Sequence, residues 1–81
     1  MAAIATDTWG AEVRPNELPD VFQPLHLILI VSMGLLVGEI WDLDPLAADC
    51  AEDGQYDFLY VAAPLKVVNG TGAPVNPVVI K

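Results

Sequence analysis

Residues 24–39 read Pro-Leu-His-Leu-Ile-Leu-Ile-Val-Ser-Met-Gly-Leu-Leu-Val-Gly-Glu. This stretch holds the chain's only histidine, His26, and its only serine, Ser32, and it ends on a carboxylate, Glu39. It is also the most apolar part of the chain. Pro24 suits the first position of a helix, where a missing N–H costs nothing. Leu27–Val31, however, is a continuous apolar run with three β-branched residues, which reads equally well as a buried strand. Gly34 stops whichever element forms, and Leu35–Val37 then reads as a strand ending near Glu39. The run from Leu25 to Val37 is too short for a membrane-spanning helix, which needs about 20 residues.

On the N-terminal side, residues 2–7 read as a short strand that presents Asp7 at its end, where a loop opens. The alternative for Asp7 is a turn residue bonding its own backbone. Trp9 is expected to be half-buried, with its indole N–H needing a partner. Residues 12–24 contain Pro15, Pro19 and Pro24 among polar residues, so regular structure cannot run through them. Arg14 in this loop is expected to pair with Glu12 or Glu17.

On the C-terminal side, Asp44 and Pro45 open a helix. Leu46, Ala47, Cys50 and Ala51 share one of its faces, and Gly54 supplies a left-handed exit. Cys50 is expected to be an inert core thiol. Glu52 and Asp53 sit at the unfavourable end of the helix dipole with no evident stabilising role. Tyr56–Val61 alternates aromatic and aliphatic residues with a polar one, a strong strand signal. Asn69-Gly70-Thr71-Gly72 is a turn cluster, and residues 75–80 form a last strand that Pro77 confines to an edge or breaks.

Eighty-one residues with 54% apolar composition exceed the usual share of about 45–50%. A chain this short buries only about 60% of its unfolded surface. Apolar surface is therefore left over, and a homo-oligomer is the expected remedy. Eleven acids against three basic residues give a formal charge of −8. Such a chain has little with which to neutralise phosphates, so neither nucleic acid nor an anionic membrane is an expected partner. A neutral small molecule or a cationic metal fits better. One cysteine excludes an internal disulfide, and the N-terminal residues have no basic region before the apolar ones, so a cytoplasmic location is expected.

Three blocks, taken in order, carry a resemblance. They are DTWGAE at Asp7–Glu12, PLH at Pro24–His26 leading through MGLLVGE to Glu39 and on to Leu43-Asp44-Pro45-Leu46, and FLYVAAPLKV followed by GTGAPVNPVVIK. Together they resemble the C-terminal part of the cyclase-like metal-dependent hydrolases, which include kynurenine formamidases and isatin hydrolases. DTWG followed by Glu is closest to the isatin-hydrolase-like branch. The resemblance implies part of a swivelling β/β/α fold, with a helix over Pro24–Met33 and a strand over Gly34–Gly38. The expected fold class is therefore α/β (α+β), a small sheet with two helices, in a single domain over residues 1–81.

The same resemblance implies that His26 is a metal-site residue, that Glu39 lies at or beside the acidic ligand, and that Asp7 and Thr8 stand near a substrate pocket. The His-x-Gly-Thr-His-x-Asp segment that supplies most metal ligands in the family has no counterpart in this sequence. The chain thus reads as a truncated or miniature form of the family, and any divalent metal would be shared between subunits, if one is used. The expected function is a small oligomeric hydrolase acting on an ester, amide or lactam carbonyl. His26 would be base or ligand, Asp7 or Glu39 would orient it or hold a metal, and Ser32 would be a nucleophile only if offered by an adjacent chain. The alternatives are a non-catalytic assembly domain, or one half of a split metallohydrolase.

Overall fold

A computed structural model describes all 81 residues. The chain divides into two units, Met1–Asp44 and Pro45–Lys81. The architecture is α+β, with two helical segments and two two-stranded sheets where one small sheet was expected. No helix is long and apolar enough to cross a membrane.

In the first unit, β1 (Ala3–Ala5) pairs in parallel with β2 (Leu36–Gly38), Ile4 standing opposite Val37. The connection between them contains the Pro-rich loop and then α1, which opens as an α-helical turn at Pro24–His26 and widens into a π-helical stretch over Leu27–Ser32. The ambiguous apolar run is therefore helical. Its β-branched residues crowd an ordinary helical turn, and the run adopts the rarer wide turn, a form that recurs at functional sites. Met33 N–H donates to the Ile28 carbonyl at 3.0 Å, five residues back, and Gly34 then leaves the helix at φ +67°. Beyond β2, Ile40 N–H donates to Thr8 O at 2.9 Å and Trp41 N–H to Thr6 O at 3.1 Å, extending the pairing of the two chain segments past the strands.

In the second unit, α2 (Asp44–Asp53) is followed by Gly54 at φ +71°, the left-handed exit expected from the sequence. Cys50 is buried as expected, Leu46 is half-buried, and Ala47 and Ala51 are exposed. β3 (Leu59–Val61) pairs antiparallel with β4 (Val78–Ile80), and a single further bridge joins Pro64 to Val75. The strand expected over Tyr56–Val61 is thus only half realised. Pro77, which has no N–H to donate, stands where the next pair of the ladder would be.

Three local expectations are corrected. Trp9 is 68% exposed, not half-buried. Arg14 pairs with neither Glu12 nor Glu17; its guanidinium lies over the rings of Trp9 and Phe22, at 5.2 and 4.6 Å from their centroids. Asp53, at the wrong end of the helix dipole, gains a cation. Lys81 Nζ donates to Asp53 at 2.8 Å and to Asp49 at 2.7 Å, which ties the end of β4 to α2. That bond holds the Asp53 carboxyl below its ordinary range. Burial works against the charge on Lys81, but the two carboxylates raise its pKa.

Only Leu35 and Cys50 are buried. Large apolar side chains such as Val31, Leu36 and Ile40 remain 70% or more exposed, so the apolar surplus seen in the composition is carried on the surface of each unit.

Candidate functional site

The site grows out of the start of α1. Gln23, at the N-cap position, is left-handed at φ 52° and gives the helix no side-chain cap. Pro24 lacks an N–H, so the first unsatisfied donors of the helix are the amides of Leu25 and His26. Glu12, thirteen residues upstream, supplies the acceptor. Its Oε2 takes the Leu25 N–H at 3.0 Å and its Oε1 takes the His26 N–H at 3.3 Å. A carboxylate at a helix N-terminus is also favoured by the helix dipole.

The same Glu12 Oε1 bonds Nδ1 of the His26 ring. The other ring nitrogen, Nε2, stands 2.9 Å from Oε1 of Glu39, at the end of β2. That Glu39 oxygen also accepts the Ala11 N–H at 2.6 Å. The imidazole is therefore held at both nitrogens, between a carboxylate from the loop and one from the strand end. The side chains of Glu12, His26 and Glu39 are 8%, 16% and 28% exposed, which makes Glu39 the open side of the cluster.

Electrostatics follow from this geometry. The bond to Glu12 raises the His26 pKa above its usual 6.5; partial burial opposes the rise, and Glu39 adds to it. Burial pushes the Glu12 carboxyl up, but its bonds to Leu25 N–H and to His26 outweigh that and bring it below 4.5. Both contacts favour the charged form of the ring, which can donate from each nitrogen to a carboxylate oxygen.

The backbone on either side of the site is constrained. Ile40, directly after Glu39, sits at φ +60°. A β-branched residue there is a true outlier, costing about 1–2 kcal/mol. It persists because the hydrogen bonds from Ile40 and Trp41 back to Thr8 and Thr6 fix the segment. Trp41 in turn lies against Gly38. A Cβ built on Gly38 would stand 2.6 Å from the indole, so any other residue there must displace the ring. Such strained residues gather at functional sites.

The predicted site residues fall into two groups. His26 and Glu39 are brought together as expected. Asp7 is exposed and takes no part in the bonding of His26. Its neighbour Thr8 turns its hydroxyl to Gly10 O at 2.8 Å. Ser32 is exposed, and its hydroxyl points back to Leu27 O at 3.4 Å, so no Ser–His pair forms within the chain. Glu12 is the residue sequence reasoning missed as a site member. A signal for it existed: a helix opening on Gln-Pro has no local cap and must borrow an acceptor from elsewhere.

For a metal, His26 Nε2 and Glu39 Oε1 are two suitable donor atoms, with Glu12 in the place of the carboxylate that commonly orients a ligating histidine. A catalytic zinc centre wants three protein ligands and an open position. No group of three His, Cys, Asp or Glu side chains in the chain converges to hold an ion. The residues of this chain alone do not fit such a centre, and no step below runs through one.

No protein-family profile matches the chain, and no curated protein matches it. Among solved structures, a crystal structure described as that of a novel cyclase is similar at 39% identity and a TM-score of 0.81. The match covers 99% of this chain and 25% of that one, so the chain spans about a quarter of the cyclase's length. The cyclase resemblance carried by the three sequence blocks is borne out at this level. The 81 residues are cyclase-like in sequence and fold over nearly their whole length.

Proposed function

We propose that this chain carries the Glu12–His26–Glu39 part of a cyclase-like hydrolase acting on an ester, amide or lactam carbonyl, with the kynurenine-formamidase and isatin-hydrolase group as the nearest model for its substrates and the C-terminal part of that fold as its place. The observation that supports this reading most is the imidazole held at both nitrogens by two carboxylates, beside the strained Ile40.

Each group has a role at a stated atom. Glu39 Oε1 is held by Ala11 N–H and His26 Nε2, and the side chain is 28% exposed, so Oε2 is the oxygen assigned as the acceptor. Oε2 takes a proton from water as the water oxygen bonds the carbonyl carbon. It then returns that proton to the leaving oxygen or nitrogen as the bond to the carbon breaks. His26, charged below its raised pKa, holds Glu39 in position and is not itself the base. Glu12 keeps the ring charged and oriented. Asp7 and Ser32 have no step assigned.

The test is hydrolysis of an activated aryl ester and of an aryl lactam, in a cytoplasmic-type buffer without chelator. Glu39→Gln should lower turnover by about a hundredfold or more, the range a general acid–base group supplies, and His26→Ala should lower it as well by releasing Glu39. Turnover unchanged in both variants would overturn the assignment.

A second reading is supported by the shortage of donors. In it the chain is an assembly domain, or one half of a split metallohydrolase whose other polypeptide completes a metal site on His26 and Glu39. Metal analysis separates the two. Stoichiometric metal that is lost in His26→Ala supports the split enzyme, and activity without metal supports the carboxylate mechanism.

A further inference from the structure

The loop from Glu12 to Gln23 contains no helix or strand, and Pro15 and Pro19 keep it irregular. Yet Glu12, at its start, reaches the amides of Leu25 and His26 just past its end. Side chains must therefore hold the two ends of the loop together. Asn16 does part of this. Its side-chain nitrogen donates to Leu18 O at 2.7 Å and to Val21 O at 2.5 Å, which folds the middle of the loop back on itself.

Arg14 does the rest. Its guanidinium lies 4.6 Å from the centre of the Phe22 ring and 5.2 Å from that of Trp9, within the roughly 6 Å at which a cation is drawn to a ring face. Arg14 is the only Lys or Arg of the first unit, and Asp7, Glu12, Glu17 and Asp20 are all near it in sequence. It nevertheless lies over the rings instead of pairing with Glu12 or Glu17. A planar, weakly hydrated guanidinium stacks on aromatic faces in a way that a lysine ammonium does not.

The places of these residues in the chain give the contact its meaning. Trp9 is two residues before Ala11, whose N–H holds Glu39. Arg14 is two residues after Glu12. Phe22 shortly precedes Leu25 and His26, whose amides Glu12 accepts. The contact thus ties together the three chain segments that lead into the site, all of them within the first unit.

We infer that Arg14 is a positioning residue: by holding Trp9 and Phe22 together, it keeps the Glu12 carboxylate on the Leu25 and His26 amides and keeps Ala11 N–H on Glu39. It acts through Glu12 and Ala11 and not on a reacting atom. Its effect on turnover rests on the proposed hydrolase reading; its effect on the three amides does not.

Amide exchange of the whole chain, followed by NMR beside the aryl-ester assay, tests it. In Arg14→Gln the Ala11, Leu25 and His26 amides should exchange about tenfold faster as their carboxylates leave them. The Thr6 and Leu36 amides, bonded between β1 and β2, should keep their rates. Phe22→Leu leaves every charge in place and should release the same three amides. Arg14→Lys, which keeps a cation for one ring, should fall between Arg14→Gln and the native chain. In Arg14→Gln, kcat should fall about tenfold with KM unchanged, because a misplaced catalytic group slows the chemical step. Leu25 and His26 amides that stay protected in Arg14→Gln or in Phe22→Leu overturn the inference, whether or not the chain hydrolyses the ester. So does equal loss of protection at Thr6 and Leu36, which would make Arg14 a general contact of the fold. Release confined to the three amides, in a chain without hydrolase activity, would uphold the inference and remove the hydrolase reading.

Discussion

At the scale of single residues, the site is a charge balance that pH should read directly. The folded pKa of His26 lies above 6.5, so its contribution to stability is complete below about 6.5 and is lost as pH rises through the raised value. The folded pKa of Glu12 lies below 4.5, so its contribution is complete above about 4.5 and is lost as pH falls through the lowered value. The cluster should therefore stabilise the fold most between about pH 4.5 and 6.5. In Glu12→Gln, an NMR titration should show the His26 pKa dropping back toward 6.5, and the alkaline decline in stability should begin at lower pH. An unshifted His26 would mean that Glu12 does not set its charge. Ile40 makes a second case. It is 70% exposed, so Ile40→Gly loses little burial and releases the left-handed strain. That variant should gain up to about 1 kcal/mol in urea unfolding, and it should lose turnover as Glu39 loosens.

At the scale of elements, the parallel pair β1–β2 and the helix α1 position the site through few contacts. Gly38 ends β2 under the Trp41 ring, and Glu39 follows it. Gly38→Ala should force the indole aside and destabilise the first unit by about 1–3 kcal/mol, the usual cost of overpacking. Chemical unfolding monitored by tryptophan fluorescence would show it, and an unchanged midpoint would mean that the ring moves freely. The helix was legible only in part. Pro24 and Gly34 marked its ends, but Leu27–Val31 gave no period, because a fully apolar run shows no polar face to count from. The wide π turn lies beyond local propensity altogether. β3 shows the reverse: its alternation was clear over six residues, yet a strand needs a partner, and only Leu59–Val61 find one, in Val78–Ile80.

At the scale of the whole molecule, what stands out is how little is buried. Leu35 and Cys50 form the buried set, and a chain with so small a core gains from any association that covers its apolar surface. The melting temperature should therefore rise with protein concentration, by several degrees between about 5 and 500 μM, a range over which mass action supplies about 2.7 kcal/mol. Differential scanning calorimetry checks this, and a concentration-independent midpoint would show that each chain is stable alone.

The sequence by itself determined the α+β class, the helix from Asp44 with its exit at Gly54, the buried thiol at Cys50 and the surplus of apolar surface. Each of these depends on local chemistry: a cap, a glycine, a periodic face, a composition. It also singled out His26 and Glu39, because they are the ionisable residues that bracket the apolar segment. Only the tertiary structure decided that Glu12 joins them and that Asp7 and Ser32 do not. Glu12 is fourteen residues from His26 in the chain, and Glu39 is thirteen. No spacing rule connects residues at such distances, since they meet only when a loop and a parallel strand pair fold back on the start of a helix that lacks its own cap.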